Sequence, residues 1–214
     1  MIVMQPVLEV AAPDGFALWP VTEAGASGFL ALDGGLSPAG VGTAVMALAA
    51  CNDLAVEGDE RPRHGATGTF LHGLLTFDTP FAAGGLRVTD RAAGVDFAPG
   101  CCDGLEDWRD WYRLVDGDGR LGFGHEPVSP AAERLGDVLR LTVDVERPDS
   151  PVITLPARAL PGMLAGVERD LAAFLVLASG WASAHLPDHD VDPVVAALAR
   201  ALDVPAPTGS PHAM

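Results

Sequence analysis

Ala98–Val115 reads APGCCDGLEDWRDWYRLV, and how this stretch is read decides the fold. Pro99 and Gly100 signal a turn. Asp103 then stands ahead of an apolar run, with Glu106 three residues later. A short acceptor side chain followed at that spacing by glutamate is the capping box that opens a helix, here with Asp in place of Ser or Thr. The spacing predicts a helix from Asp103 to about Val115, stopped by the DGDG of Asp116–Gly119. Leu105, Trp108, Tyr112 and Val115 would share one face of it, flanked by Trp111 and Leu114. Arg109 and Arg113 lie one turn apart and offer planar forks for an anionic ligand beside the two tryptophans.

The paired Cys101 and Cys102 precede this helix. A thiol at a helix N-terminus gains reactivity from the partial positive charge there. The carboxylates of Asp103, Glu106 and Asp107 work against that, so two small thiols packed beneath the helix are the expected arrangement. Adjacent cysteines without a C-x-x-C partner do not suggest a metal site.

Upstream, Gly85–Phe97 alternates apolar and polar residues about a polar turn and reads as a hairpin. Thr69–Asp78 has strand composition, as do Phe16–Trp19 and Phe29–Leu32. Pro38–Leu54 reads as a helix of small residues with Ser37 as cap, although Gly40 and Gly42 weaken it. Val56–Gly68 reads as a polar loop. Downstream, Val138–Val145 alternates as a half-buried strand that Pro151–Leu155 can pair. Pro161–Leu186 carries an apolar stripe at helical spacing, and Asp192-Pro193 opens a last helix. Strands followed by helices, without regular alternation, predict one α+β domain over residues 1–203. Its sheet would be mostly antiparallel, with the C-terminal helices packed on one face. Val204–Met214, rich in Pro, Gly and Ser, is expected to be a flexible tail.

Composition narrows the function. The 214 residues carry 29 acids against 13 bases, a formal net charge of −16, which disfavours nucleic acid and anionic membranes. Every base is arginine, so Schiff-base chemistry, a pyridoxal-phosphate anchor and a P-loop lysine are excluded. No leader-like segment is visible, and three irregularly spaced cysteines make no disulfide framework, so a cytoplasmic protein is expected. No cofactor is implied. Asp116–Glu126 begins like a calcium loop, but Arg120 and Leu121 stand where an oxygen ligand and glycine are needed. His185–Asp192 gathers His185, His189 and three aspartates, but Pro187 interrupts the one-turn spacing that a zinc pair needs. His125 and Glu126, between glycines and Pro127, form a weak acid/base pair.

The segment from about Phe77 to Leu141 resembles actinobacterial proteins of no assigned activity that carry PGCC-x-GLEDW followed by GHDP or GHEP. The matching residues are Pro99–Cys102, Gly104–Trp108 and Gly124–Pro127. The resemblance implies a bacterial cytosolic origin and no mechanism. The residues favour a non-catalytic binding or accessory protein that recognises a protein or small ligand through Trp108, Arg109, Trp111 and Arg113. The alternative is a small secondary-metabolism enzyme with Cys101 or Cys102 as thiolate and His125 and Glu126 as acid and base. No oligomeric state follows from the sequence.

Overall fold

The computed structural model describes residues 1–11, 14–22, 28–53, 65–100, 103–117, 119–124 and 128–207. The fold is α+β, with two four-stranded antiparallel sheets and five α-helices among these residues. In the first sheet β1 (Ile2–Glu9) lies between β2 (Phe29–Ala31) and β3 (Gly84–Asp90), and β4 (Val95–Phe97) closes the edge. β1 and β3 pair from Ile2 opposite Asp90 to Leu8 opposite Gly84. The expected hairpin is β3–β4. Its turn uses Gly94 at φ +65°, and the Asp90 carboxylate accepts from the Ala92 amide at 2.9 Å.

The second sheet is a meander of β5 (Arg120–Gly122), β6 (Ala131–Leu135), β7 (Val138–Thr142) and β8 (Val152–Pro156). Leu139 and Leu141 are buried opposite Leu155 and Ile153, while Val138 and Arg140 face out. That is the period-two pattern of a sheet with one covered face. Gly136 takes φ +64° at the first position of the two-residue β6–β7 turn, the type II′ geometry that matches strand twist.

α1 (Pro38–Cys51) starts as expected: the Ser37 side chain accepts from the Gly40 amide at 3.1 Å, and Pro38 occupies the first turn. Thr69–Asp78, expected as a strand, is mostly α2 (Gly65–Thr76). Its buried Gly68, Leu71 and Leu74 recur every three residues, a helical spacing. The Thr69 and Thr76 hydroxyls donate to the carbonyls of Gly65 and His72, so β-branched threonine sits in the helix without an unpaired polar group. Phe16–Trp19 is not a strand either; this segment is pinned to α1 by side chains.

The largest correction concerns Asp103. Leu105–Trp111 is a 3-10 helix, continued by the short α3 (Tyr112–Asp116), and no capping box forms. Gly104 is the cap. The Asp103 carboxylate instead accepts from the Gly100 amide at 3.0 Å, and Glu106 accepts from the Ala82 amide at 2.9 Å. Leu105, Trp108, Trp111 and Leu114 are the buried residues, a period of three that suits three residues per turn. Tyr112 and Val115, expected on the inner face, are only half-buried. Gly117 at φ +107° ends the helix where DGDG was expected to.

α4 (Leu160–His185) lays its stripe of Leu164, Val167, Leu171, Phe174 and Ala178 against β1, α1 and α5 (Val191–Ala201). The cap position of α5 is Asp190, two residues before the expected Asp192, so the helix starts at Val191 and not at Pro193. Val204 is buried and its amide donates to Ala199 O at 3.1 Å, so the chain stays packed where a tail was expected to begin. One contiguous core joins both sheets and all five helices. Among the described residues, no helix is long and apolar enough to cross a membrane.

Candidate functional site

The residues expected to bind a ligand are placed by the 3-10 helix, and the structure gives most of them structural duties. Trp108 and Trp111 are each only 2% exposed. Trp108 Nε1 donates to Leu202 O at 3.1 Å, which ties the 3-10 helix to the end of α5. Trp111 stacks on Phe123 at 4.9 Å and meets Phe97 edge-on. Both rings of the expected recognition face are thus packed in the core, because the 3-10 period turns both inward. Arg109 lies over the Trp108 ring and is within 2.9 Å of both Glu168 and Asp203. Two carboxylates already fill its fork, so the site is negative overall and the expected anion clamp is absent at this residue. Arg113 is exposed and lies 3.9 Å from Asp110 on the same segment.

Cys101, Cys102, His125 and Glu126 lie outside the described residues. The described ends beside them are joined, since the Gly100 amide donates to Phe123 O at 3.0 Å. A Cβ on Gly100 would lie 2.2 Å from that oxygen, so glycine is required for this approach. His185 donates from Nδ1 to Trp181 O at 3.0 Å and stacks on Trp181, a contact within α4. No group of three or more His, Cys, Asp or Glu able to hold a metal occurs among the described residues.

Among the described residues a groove of about 540 Å³ beside Arg109, Arg200 and Asp203 is the most open of three concavities, and two more enclosed ones bear on a ligand site. The first is a crevice of about 140 Å³ lined by Asp103, Asp107, Asp110, Trp108, Trp111 and Phe123, among others. At about 30 Å³ of liquid volume each, it holds roughly five waters and is well below the usual size of a ligand site. Burial pushes the Asp103 carboxyl up to about 6, and the nearby charge of Asp107 adds to this against the Gly100 hydrogen bond.

The second is a cavity of about 530 Å³ between β1, α1 and α2. Its walls are chiefly apolar, with Val10, Phe16, Phe29, Met46, Ala47 and Phe70 facing it. Each wall has a local cause. α1 offers small side chains, so space is left beside it. Phe16 belongs to a segment held against α1 at Trp19, whose Nε1 donates to Gly42 O at 2.8 Å. A Cβ on Gly42 would stand 2.3 Å from Pro20 O, so only glycine allows that approach. Thr43 adds two hydrogen bonds to the backbone of Thr22. Phe16, Trp19 and Phe70 then form an aromatic trio, with Phe16 and Trp19 edge-to-face at 4.9 Å.

α2, which carries Phe70, is set by the C-terminus of α1. Buried Asn52 donates to Leu48 O and Phe81 O and accepts from the Phe81 amide. Gly73 of α2 comes so close that its Cβ would fall 1.8 Å from Asn52 O. Three polar side chains also reach the cavity: Glu9, Asp14 and Cys51. Burial pushes the Cys51 thiol above its ordinary value, and the charges of Glu9 and Glu106 push the same way, against a backbone hydrogen bond at Ala83. Cys51 is thus a neutral lining group and not an activated nucleophile.

Sequence reading missed this cavity because its walls come from segments distant along the chain, two of them, at Phe16 and Phe70, wrongly read as strands. The available signal was the run of Gly and Ala in α1, with aromatic residues on either side in sequence. No protein-family model, curated protein or solved structure matches the chain.

Proposed function

We propose that this protein binds a small, mainly apolar molecule in the cavity between β1, α1 and α2. One observation carries the reading. A space of about 530 Å³, walled by Phe16, Phe29, Phe70 and Met46 with few polar groups, has the size and character of a small-molecule site. The binding role expected from the sequence is kept, and its location moves from the Trp108/Trp111 segment to this cavity. Catalysis is not part of the reading, since Cys51 is held neutral and no histidine lines the cavity among the described residues.

The neutral fluorophore N-phenylnaphthylamine, which brightens in apolar surroundings, tests this. Saturable enhancement with one site per chain is expected, together with a change in tryptophan emission because Trp19 packs on two wall residues. Ala50→Phe projects a ring into the cavity from an exposed position on α1 and should abolish enhancement while leaving the melting temperature nearly unchanged. Enhancement that survives Ala50→Phe, or no enhancement in the parent protein, refutes the reading.

A further inference from the structure

The polar groups of the cavity are of one kind. Glu9 ends β1 and Asp14 follows it, both are exposed, and both line the space. No arginine lines it among the described residues, and the chain has no lysine. Apart from Cys51 the rest of the described lining is apolar or glycine, with Met46 and Ala47 of α1 buried. The space therefore has a mainly apolar lining and two exposed carboxylates, with no cation among its described lining residues.

The electrostatics inside agree with the geometry. Cys51 lines the same cavity, and the carboxylates of Glu9 and Glu106 both disfavour a negative charge on it. An anionic ligand would meet that same repulsion, and a neutral one would gain nothing from it. A cationic group would gain charge-assisted hydrogen bonds at the rim while its body displaces water from the aromatic wall.

We infer that the cavity's ligand is a cationic amphiphile, whose apolar body packs on Phe16, Phe70 and Met46 and whose protonated amine faces Glu9 and Asp14. This rests on the reading of the cavity as a ligand site. Specificity comes from charge: an apolar carboxylate of the same shape fits the walls but brings a third negative charge to the rim. The amine supplies hydrogen-bond donors that two exposed carboxylates accept without either being stripped of water.

Displacement of N-phenylnaphthylamine by octylamine, octanol and octanoate at neutral pH tests the inference, because the three share one apolar body. Octylamine should displace at a concentration at least about tenfold below octanoate, with octanol between them. The double variant Glu9→Gln, Asp14→Asn should bring octylamine to parity with octanol and leave the probe and octanol unchanged. The rest of the acidic surface persists in that variant, so a local origin is separated from general attraction of cations. High salt should narrow the amine's advantage, since both carboxylates face solvent. If octanol displaces the probe but octylamine is no better than octanoate, the amine assignment is overturned and the apolar site stands. If octylamine keeps its advantage in the double variant, the placement at Glu9 and Asp14 is overturned. If the probe does not bind the parent protein, the apolar site itself falls.

Discussion

Asp103 shows how far a residue's role depends on what surrounds it. Its position ahead of an apolar run marks a helix cap, yet its carboxylate turns back to the Gly100 amide and is half-buried beside Asp107. Its folded pKa of about 6 lies above the roughly 3.9 of an unfolded aspartate. Between about pH 4 and pH 6 the native chain therefore holds a proton the unfolded chain has lost. Unfolding free energy falls as pH rises through that window, and the full cost of the charge is present above it. Glu106, also pushed up by burial, acts in the same direction. Asp103→Asn keeps an acceptor for Gly100 and removes the charge. Its melting temperature should exceed the parent's at pH 7.5, and the gap should close by pH 4. A gap that is constant across this range contradicts the assignment.

At the scale of elements, glycines separate packing from propensity. Gly73 and Gly180 both lie in helices, where alanine is better by about 1 kcal/mol on propensity alone. A Cβ on Gly180 meets nothing within 4 Å, whereas one on Gly73 would stand 1.8 Å from the backbone oxygen of Asn52. No rotamer change relieves a clash with backbone, so α2 must move off α1, an overpacking cost of about 1–3 kcal/mol. Gly180→Ala should raise the melting temperature, and Gly73→Ala should lower it. Because α2 carries Phe70 into the cavity, Gly73→Ala should also weaken binding of N-phenylnaphthylamine. A Gly73→Ala protein as stable as Gly180→Ala would show that the α1–α2 contact is looser than described.

For the whole molecule, charge is the dominant global property. Thirteen bases against 29 acids leave a surface that repels itself. Ion pairs such as Arg109 with Glu168 and Asp203 oppose this, but exposed pairs contribute only about 0–1 kcal/mol each. Repulsion should therefore win. Raising sodium chloride from about 0.01 M to about 1 M shortens the Debye length from roughly 30 Å to 3 Å. The melting temperature should rise by several degrees over that range, at about 2–4 °C per kcal/mol for a chain of this size. A fall would mean that the ion pairs outweigh the net charge.

Local pattern in the sequence determined a good part of this protein. Period-two alternation is legible in β7 and β8, the apolar stripe in α4, the cap at Ser37 and the turn at Gly94, because each depends on neighbours a few residues away. Together these set the α+β class. Tertiary structure decided the rest, where one local pattern supports two outcomes. Thr69–Asp78 carries both strand composition and helical spacing, and packing of Gly73 on Asn52 selects the helix. Leu105–Leu114 suits either an α- or a 3-10 helix, and the pull of Glu106 to Ala82 and Trp108 to Leu202 accompanies the tighter one. The cavity depends most on tertiary structure, since residues from β1, α1 and α2 line it and no single segment encodes an empty space.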